Sequence, residues 1–263
     1  LSFRGLFTIS DSYRIAFLAL FDDELNLSVS ELEEWVQFVE SLAIRWIIVG
    51  GNAQVLENLF QATAVDFLKL RSESDVAGNS LRKRFSDKLQ SNENVATRLG
   101  EALDDSTLVR YIAFRLNEKL SGEMGVLKFE PKLIHVEHIA PDTMTDEWRN
   151  ALSINAVESE EIAAEYDDLC ERLGNKTLLE YKINSAIQNK PFTTKQDGLV
   201  VGGKKIKGYK DSSIKLTKDL LLMNDWSREK IESRTKWFAE MFNIIWGHQT
   251  TARVEDYSTW SKK

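Results

Sequence analysis

Strand-like alternation is confined to two short segments of this 263-residue chain, 133–139 (Leu-Ile-His-Val-Glu-His-Ile) and 176–179. Nearly everything else follows helical spacing or turn chemistry. Two strands of that length can pair with each other and little more, so the core must be built mainly between helices. The fold class expected is therefore mainly α, of the α+β kind. Helical character dominates the first 120 residues. Residues 13–21 are strongly apolar, and Ser30 with Glu33 three residues on reads as a capping box. Leu32, Trp35, Val36, Val39, Leu42 and Ala43 then repeat at helical intervals until Gly50 and Gly51 stop the helix. Further helices fit 54–69, 79–90 and 106–120. Trp35 and Trp46 read as core residues, and Arg82, Lys83 and Arg84 as a solvated helix face. A scaffold, a partner-docking surface or a DNA clamp would all have this pattern, and no catalytic constellation stands out in it.

The character changes after Gly122 and Gly125. A strand over 133–139 runs into Pro141, and a helix over 160–172 is stopped by Gly174. A second strand follows at 176–179, then a short helix over 183–189 before Pro191. Residues 197–211 read as a Gly- and Lys-rich loop, and helices follow at 213–222 and 227–246. Strand, helical insert, strand, helix is the order in which a ββα core can be assembled.

Net charge is −7, which by itself disfavours a nucleic-acid partner, but the charge is unevenly spread. Between Arg172 and Lys218, eleven Lys/Arg stand against three acidic residues, a local excess of +8. The rest of the chain, with 23 basic and 38 acidic residues, carries −15. Such a segment can attract a polyanion, although a solvated basic face has the same composition. Cys170 is the single cysteine, which excludes an internal disulfide and a cysteine-based zinc site. It reads as a core thiol on the insert helix. No apolar run reaches the roughly 18 residues of a membrane span, and no secretory leader is recognisable. A cytoplasmic location and no membrane partner are expected. Because the chain opens on Leu1, it reads as a piece of a longer protein.

The residues with chemical potential cluster at the end of the first strand. His135 and His138 are two of the three histidines, and Glu137 directly precedes His138. Hydrolysis of a phosphodiester needs a base to activate water and a cation to absorb developing charge. A neutral imidazole suits the first task, and Glu and Asn oxygens suit a hard divalent cation. Asn175 and Asn184 follow with eight residues between them. A Glu-His pair has many structural uses, but with two asparagines so placed the functional reading is the stronger. Neighbouring strand residues face opposite ways, so the strand must end or bend for Glu137 and His138 to share a site. His135, on the face of Glu137, reads as a supporting residue, with metal ligation as its alternative. His248 reads as inert.

Glu137-His138-Ile139-Ala140-Pro141, Leu173-Gly174-Asn175-Lys176-Thr177-Leu178-Leu179, Asn184, and Asn189-Lys190-Pro191-Phe192 with Lys195 together resemble the C-terminal HNH domain of GmrSD-type, modification-dependent restriction endonucleases. SspE-like phage-defence proteins share that domain. The resemblance runs on through Tyr209, Ser212, Ser213, Thr217, Trp226, Ile231 and Arg234, and covers roughly residues 130–246. It implies a ββα-metal nuclease core with flanking helices, acting on DNA as the effector of an anti-phage system. By this resemblance His138 is the general base, Asn175 holds the His-bearing loop, and Glu137 and Asn184 ligate the metal. Asn at the last motif position favours Mg²⁺ or Mn²⁺ over softer metals. Asn189 is the rival of Asn184. Five helical residues turn the chain about 500°, so the two cannot share a helix face, and spacing favours Asn184.

The expected organisation is a helical connector over 1–125, the nuclease domain over 126–247 and a tail over 248–263. The basic segment is expected to carry the DNA backbone on Lys195, Lys204, Lys205, Lys207, Lys210 and Arg234. Gly202, Gly203 and Gly208 would let backbone amides approach phosphates. The resemblance also implies a ParB-like nucleotide-hydrolysing or sensing domain in the parent protein. Residues 1–125 hold no Gly-rich phosphate loop, so that domain is expected to lie outside this chain. A catalytically inactive DNA-binding module and a helical protein-interaction scaffold are the alternative functions.

Overall fold

The computed structural model describes residues 11, 13–69, 81–83, 86–122, 130 and 132–247. The expectations for Arg84, Gly125, His248 and the tail, and part of the helix over 79–90, lie outside these residues. The protein is mainly helical with two small antiparallel sheets among the described residues. No helix among them is long and apolar enough to cross a membrane. The described residues group into two compact units. One is drawn from residues up to Arg98 with Trp246 and Gly247, the other from Leu99 to Ile245.

The first unit is built on α1 (Arg14–Leu20), α2 (Val29–Ile48) and α3 (Ala53–Lys69). Tyr13 meets Phe60 edge-on at 6.3 Å, and Trp35 meets Phe67 in the same way at 5.5 Å. Trp35 is buried, as its helical spacing predicts. α2 starts two residues earlier than expected. Ser28, not Ser30, is the N-cap, and its box partner is Glu31, whose carboxylate accepts from Ser28 N at 2.9 Å. Both serines have a glutamate three residues on, but the chain is already extended at Ser28, with ψ 158°, so the helix begins there. Arg82 does not simply face solvent. It ion-pairs with Glu34 at 2.8 Å and lies 4.8 Å over the Trp35 ring.

α4 (Asn92–Leu99) ends where the second unit begins, and α5 (Ser106–Ser121) belongs to that unit. β1 (Ile134–His138) pairs antiparallel with β2 (Lys176–Glu180) in the register His135↔Leu179 and Glu137↔Thr177. Between the strands run α6 (Asp146–Ala151) and α7 (Ser159–Glu171), and after β2 comes α8 (Tyr181–Ile187). α5 packs on both strands. The segment before α5 is stitched to the end of α7, where Leu103 N donates to Glu171 O at 2.9 Å and Ala102 bridges to Arg172. Asn117 on α5 accepts from Leu216 N at 3.0 Å in α10 (Lys215–Lys218). β2 is buried from Lys176 to Leu179, so both of its faces are covered and Lys176 and Thr177 are buried with the leucines.

The Gly- and Lys-rich segment is not a loop. After α9 (Phe192–Asp197), it folds as a hairpin of β3 (Leu199–Val201) and β4 (Lys204–Ile206). Gly202 and Gly203, with φ of 56° and 77°, form the two-residue turn, which requires left-handed backbone at both positions. Gly208 closes the base of the hairpin, where a Cβ would come within 2.4 Å of Gly198 N. These glycines serve the turn and the close packing at its base. α11 (Arg228–Trp246) covers the β2 end, where Thr235 Oγ1 accepts from Gly174 N at 3.0 Å.

Candidate active site

β1 ends at His138, and the turn that follows is held by one side chain. Asn175 Nδ2 donates to Ala140 O at 2.8 Å and Cys170 O at 3.1 Å. Its Oδ1 accepts from Ala140 N at 2.8 Å and from the Trp226 indole at 3.0 Å, while its own carbonyl accepts from Ile139 N. Asn175 is wholly buried, so each of these bonds replaces one that water would otherwise supply. The same turn is secured at Pro141, whose carbonyl accepts from Tyr166 Oη at 2.6 Å. Cys170 is buried beside it, as a core thiol should be.

This turn shapes an open pocket of about 360 Å³, whose lining includes His135, Glu137, His138, Asp142, Asn184 and Asn189. Glu137 and His138 therefore share the site, and the strand terminates at His138 as that requires. Glu137 is 4% exposed. Its Oε1 accepts from Lys195 Nζ at 2.7 Å and from Tyr209 Oη at 3.1 Å. Its Oε2 has no hydrogen-bond partner among the described residues. Burial pushes this carboxyl up and the Lys195 ammonium down, and their mutual attraction works against both shifts.

His138 carries a carboxylate on each side. Asp142 Oδ1 lies 3.3 Å from Nδ1, and Glu171 Oε1 lies 3.4 Å from Nε2. Glu171 is held in turn by Lys176, which is buried and also donates to Leu103 O. Burial lowers the His138 pKa, and Lys176 and Lys195 push the same way; Asp142 and Glu171 oppose them. One ligand atom from each of His138, Asp142 and Glu171 can lie within 4.8 Å of the others, a spacing a metal ion could span.

Several expected roles change. Asn184 and Asn189 both line the pocket. The angular argument against this assumed one continuous helix, but α8 ends at Ile187 and Gln188 turns the chain with φ 37°. Asn184 Nδ2 donates to Val136 O at 3.3 Å, and its Oδ1 has no partner among the described residues. His135 packs on Tyr181, ring centroids 4.9 Å apart. Lys195 is not a surface contact for DNA. It is fully buried, bound to Glu137 and to His138 O at 2.7 Å. Arg234 is equally unsuited to that task. It is completely buried, and Nη1 donates to Gly174 O at 2.6 Å and Lys176 O at 2.7 Å. The basic residues of the hairpin are exposed, although Lys205 pairs with Asp211 at 2.8 Å and Lys210 with Asp197 at 3.1 Å. Lys204 and Lys207 have no ion-pair partner among the described residues.

Sequence reasoning missed Asp142, Glu171 and the partnership of Lys195 and Tyr209 with Glu137. Asp142 was open to discovery, since it directly follows Pro141 of the recognised motif. Glu171 had no such signal, lying on a helix 33 residues from His138 and meeting it only through the return of the chain into β2.

An imidazole, a carboxylate and amide oxygens around an open polar pocket suit hydrolysis of an anionic substrate. The family model for the GmrSD restriction endonucleases, C-terminal domain, matches residues 82–241, and the chain belongs to that family. It therefore carries a nuclease domain of the restriction-endonuclease type. The matched span reaches back well before residue 130 and takes in Leu103, which accepts from Lys176 of β2, and α5, which packs on both site-bearing strands. No curated protein matches the chain.

Proposed function

We propose that this chain is a metal-dependent DNA endonuclease of the HNH type, with His138 as the general base. The observation that carries the reading is the joint placement of Glu137, His138 and Asn184 on one pocket, with Asn175 clamping the turn that presents them. Strand β1, strand β2 and helix α8 follow in the ββα order, and the short strands leave the His-bearing end open rather than buried in a larger sheet.

A divalent cation fits the donor set. Glu137 Oε2 and Asn184 Oδ1 are hard oxygen donors without partners among the described residues, on a shared pocket. A bound Mg²⁺ or Mn²⁺ would supply positive charge to the scissile phosphate and to the leaving oxygen. Lys195 fixes the orientation of Glu137 through Oε1 and compensates its buried charge. His138, kept neutral by burial, removes a proton from the attacking water as the water oxygen bonds to phosphorus. The P–O bond to the leaving group then breaks, that oxygen takes a proton from solvent water, and His138 returns the proton it accepted to solvent. Asn175 contributes by holding the Ala140 amide and carbonyl, which sets the direction of the imidazole. The exposed hairpin and the residue after it, where Lys204 and Lys207 have no ion-pair partner among the described residues, form the surface on which the DNA backbone is read without regard to sequence. An anti-phage role, a cytoplasmic setting and a ParB-like partner domain in the parent protein complete the reading.

The deciding experiment is conversion of supercoiled plasmid on agarose with Mg²⁺, Mn²⁺ or EDTA. Nicked or linear product that needs the cation, and disappears in His138→Ala, is expected. A metal-independent product, or unchanged cleavage by a folded His138→Ala protein, would reject the mechanism. The same assay under metal titration separates the donor sets. Glu137→Ala and Asn184→Ala should raise the metal requirement, whereas a larger effect in Asp142→Ala would move the cation to the His138–Asp142–Glu171 cluster.

A further inference from the structure

The two nitrogens of His138 are not equivalent. Nε2 is sealed from solvent and makes no hydrogen bond that meets strict geometry. The charged group beside it is Glu171 Oε1 at 3.4 Å. Glu171 is the last residue of α7, does not line the pocket, and is pinned by the buried ammonium of Lys176. Nδ1 has a different neighbour. Asp142 is 71% exposed at the side chain, lines the pocket and hangs from a turn, so water or substrate can displace it.

A buried imidazole nitrogen facing a fixed carboxylate is favourable only as an N–H, since its lone pair would meet negative charge. At 3.4 Å the pair is a little longer than an ordinary N–H···O bond, close enough for the carboxylate to act on the nitrogen's charge. From this geometry we infer that Glu171, held by Lys176, is a positioning residue for His138, keeping the neutral ring in the Nε2–H tautomer so that Nδ1 is the nitrogen that accepts the proton. The inference rests on the general-base reading of His138 and deepens it. Orientation of a base by a carboxylate behind it is a recurring device in hydrolases. Here the carboxylate arrives from the insert between the strands.

The test uses the full chain in EDTA at alkaline pH, where the neutral ring dominates. Imidazole ¹⁵N chemical shifts report the tautomer without any need for cleavage. The wild-type protein should show His138 as Nε2–H. Glu171→Gln, which keeps an acceptor oxygen, should largely preserve that signature, and Glu171→Ala should lose it. In the plasmid assay Glu171→Ala should lower kcat at least about tenfold with KM little changed, part of the 10²–10⁴-fold a general base supplies. Glu171→Gln should restore a large share. A wild-type ring found as Nδ1–H overturns the inference, even if Glu171→Ala fails to fold. So does a Glu171→Gln protein that keeps the tautomer but needs more metal for cutting, because Glu171 would then be a metal ligand. If the tautomer responds as expected while no variant cuts DNA, the positioning role stands and the nuclease reading fails.

Discussion

The two small sheets of this molecule are built on opposite terms. β1 and β2 are covered by helices, and the positions around their open end are dictated by buried hydrogen bonds from Asn175, Lys195 and Arg234. β3 and β4 stand largely exposed, joined by two glycines and bearing Lys204 and Lys205, of which Lys205 pairs with Asp211. In the proposed mechanism the first sheet carries the base, and misplacing a base by an ångström can remove most of its effect. On the proposed reading the second supplies positive charge to the DNA backbone, an attraction that does not depend on one fixed side-chain geometry. Fixed side-chain geometry at one sheet and exposed charge at the other is the division that the proposed function requires.

Substitution at the first sheet should expose that difference most strongly. His138→Ala is expected to slow cleavage by about 10²–10⁴-fold while DNA affinity stays nearly constant. Single-turnover cleavage with parallel binding titrations checks it, and a loss of binding equal to the loss of rate would place His138 in recognition instead. The pH dependence has a definite sign. A base whose pKa is lowered stays neutral to more acid conditions, so activity should rise with pH with its midpoint below about 6.5, the ordinary imidazole value.

Asn175→Ala comes next and acts on stability as well as on rate. It leaves the buried Ala140 and Trp226 N–H groups without their acceptor, and each orphaned group costs about 1–3 kcal/mol. A loss of about 3 kcal/mol should lower the unfolding midpoint by roughly 10 °C. Calorimetry showing a change within about 0.5 kcal/mol of zero would mean that the turn is held by other contacts.

At the second sheet the effects should be smaller and purely electrostatic. Lys204→Ala combined with Lys207→Ala removes two phosphate contacts, which should flatten the plot of log affinity against log salt by about 1.8 in slope on unrelated duplexes alike. A loss confined to one duplex would show base readout by the hairpin. An unchanged slope would put the DNA backbone elsewhere on the protein. Gly203→Ala, at φ 77°, should cost only about 1–2 kcal/mol of hairpin stability and leave the rate at saturating DNA unchanged. If it abolished cleavage, the two sheets would be coupled more tightly than their packing suggests.

Much of the fold was legible because local patterns were strong. The strand ends at Glu137-His138 and Lys176–Glu180, and the helix over Arg228–Trp246, fall within a residue or two of where apolar spacing and turn residues put them. The cluster of Glu137, His138, Asn175 and Asn184 was legible for a different reason. It is carried by short motifs whose residue types suit one another chemically. What local pattern misjudged was continuity. A helix carried through Gln188 would have separated Asn184 from Asn189, and a Gly-Gly pair that reads as a loop is a hairpin turn.

Charge is where sequence alone could not decide. A run of basic residues announces a positive surface, yet Lys176, Lys195 and Arg234 are buried, each satisfying carbonyls or carboxylates of the site-bearing sheet. Composition counts charges but does not say which are desolvated, and that depends on contacts between residues far apart in the chain. Sequence by itself determined the helical class, the two short strands and the chemical types gathered at the end of β1. Only the tertiary structure decided that Glu171, from an insert helix, stands behind His138, and that Lys195 holds Glu137 rather than DNA. The physical reason is that periodicity and motifs report on neighbours along the chain, while the partner of a buried charge is whichever opposite charge the packed core brings within hydrogen-bond range.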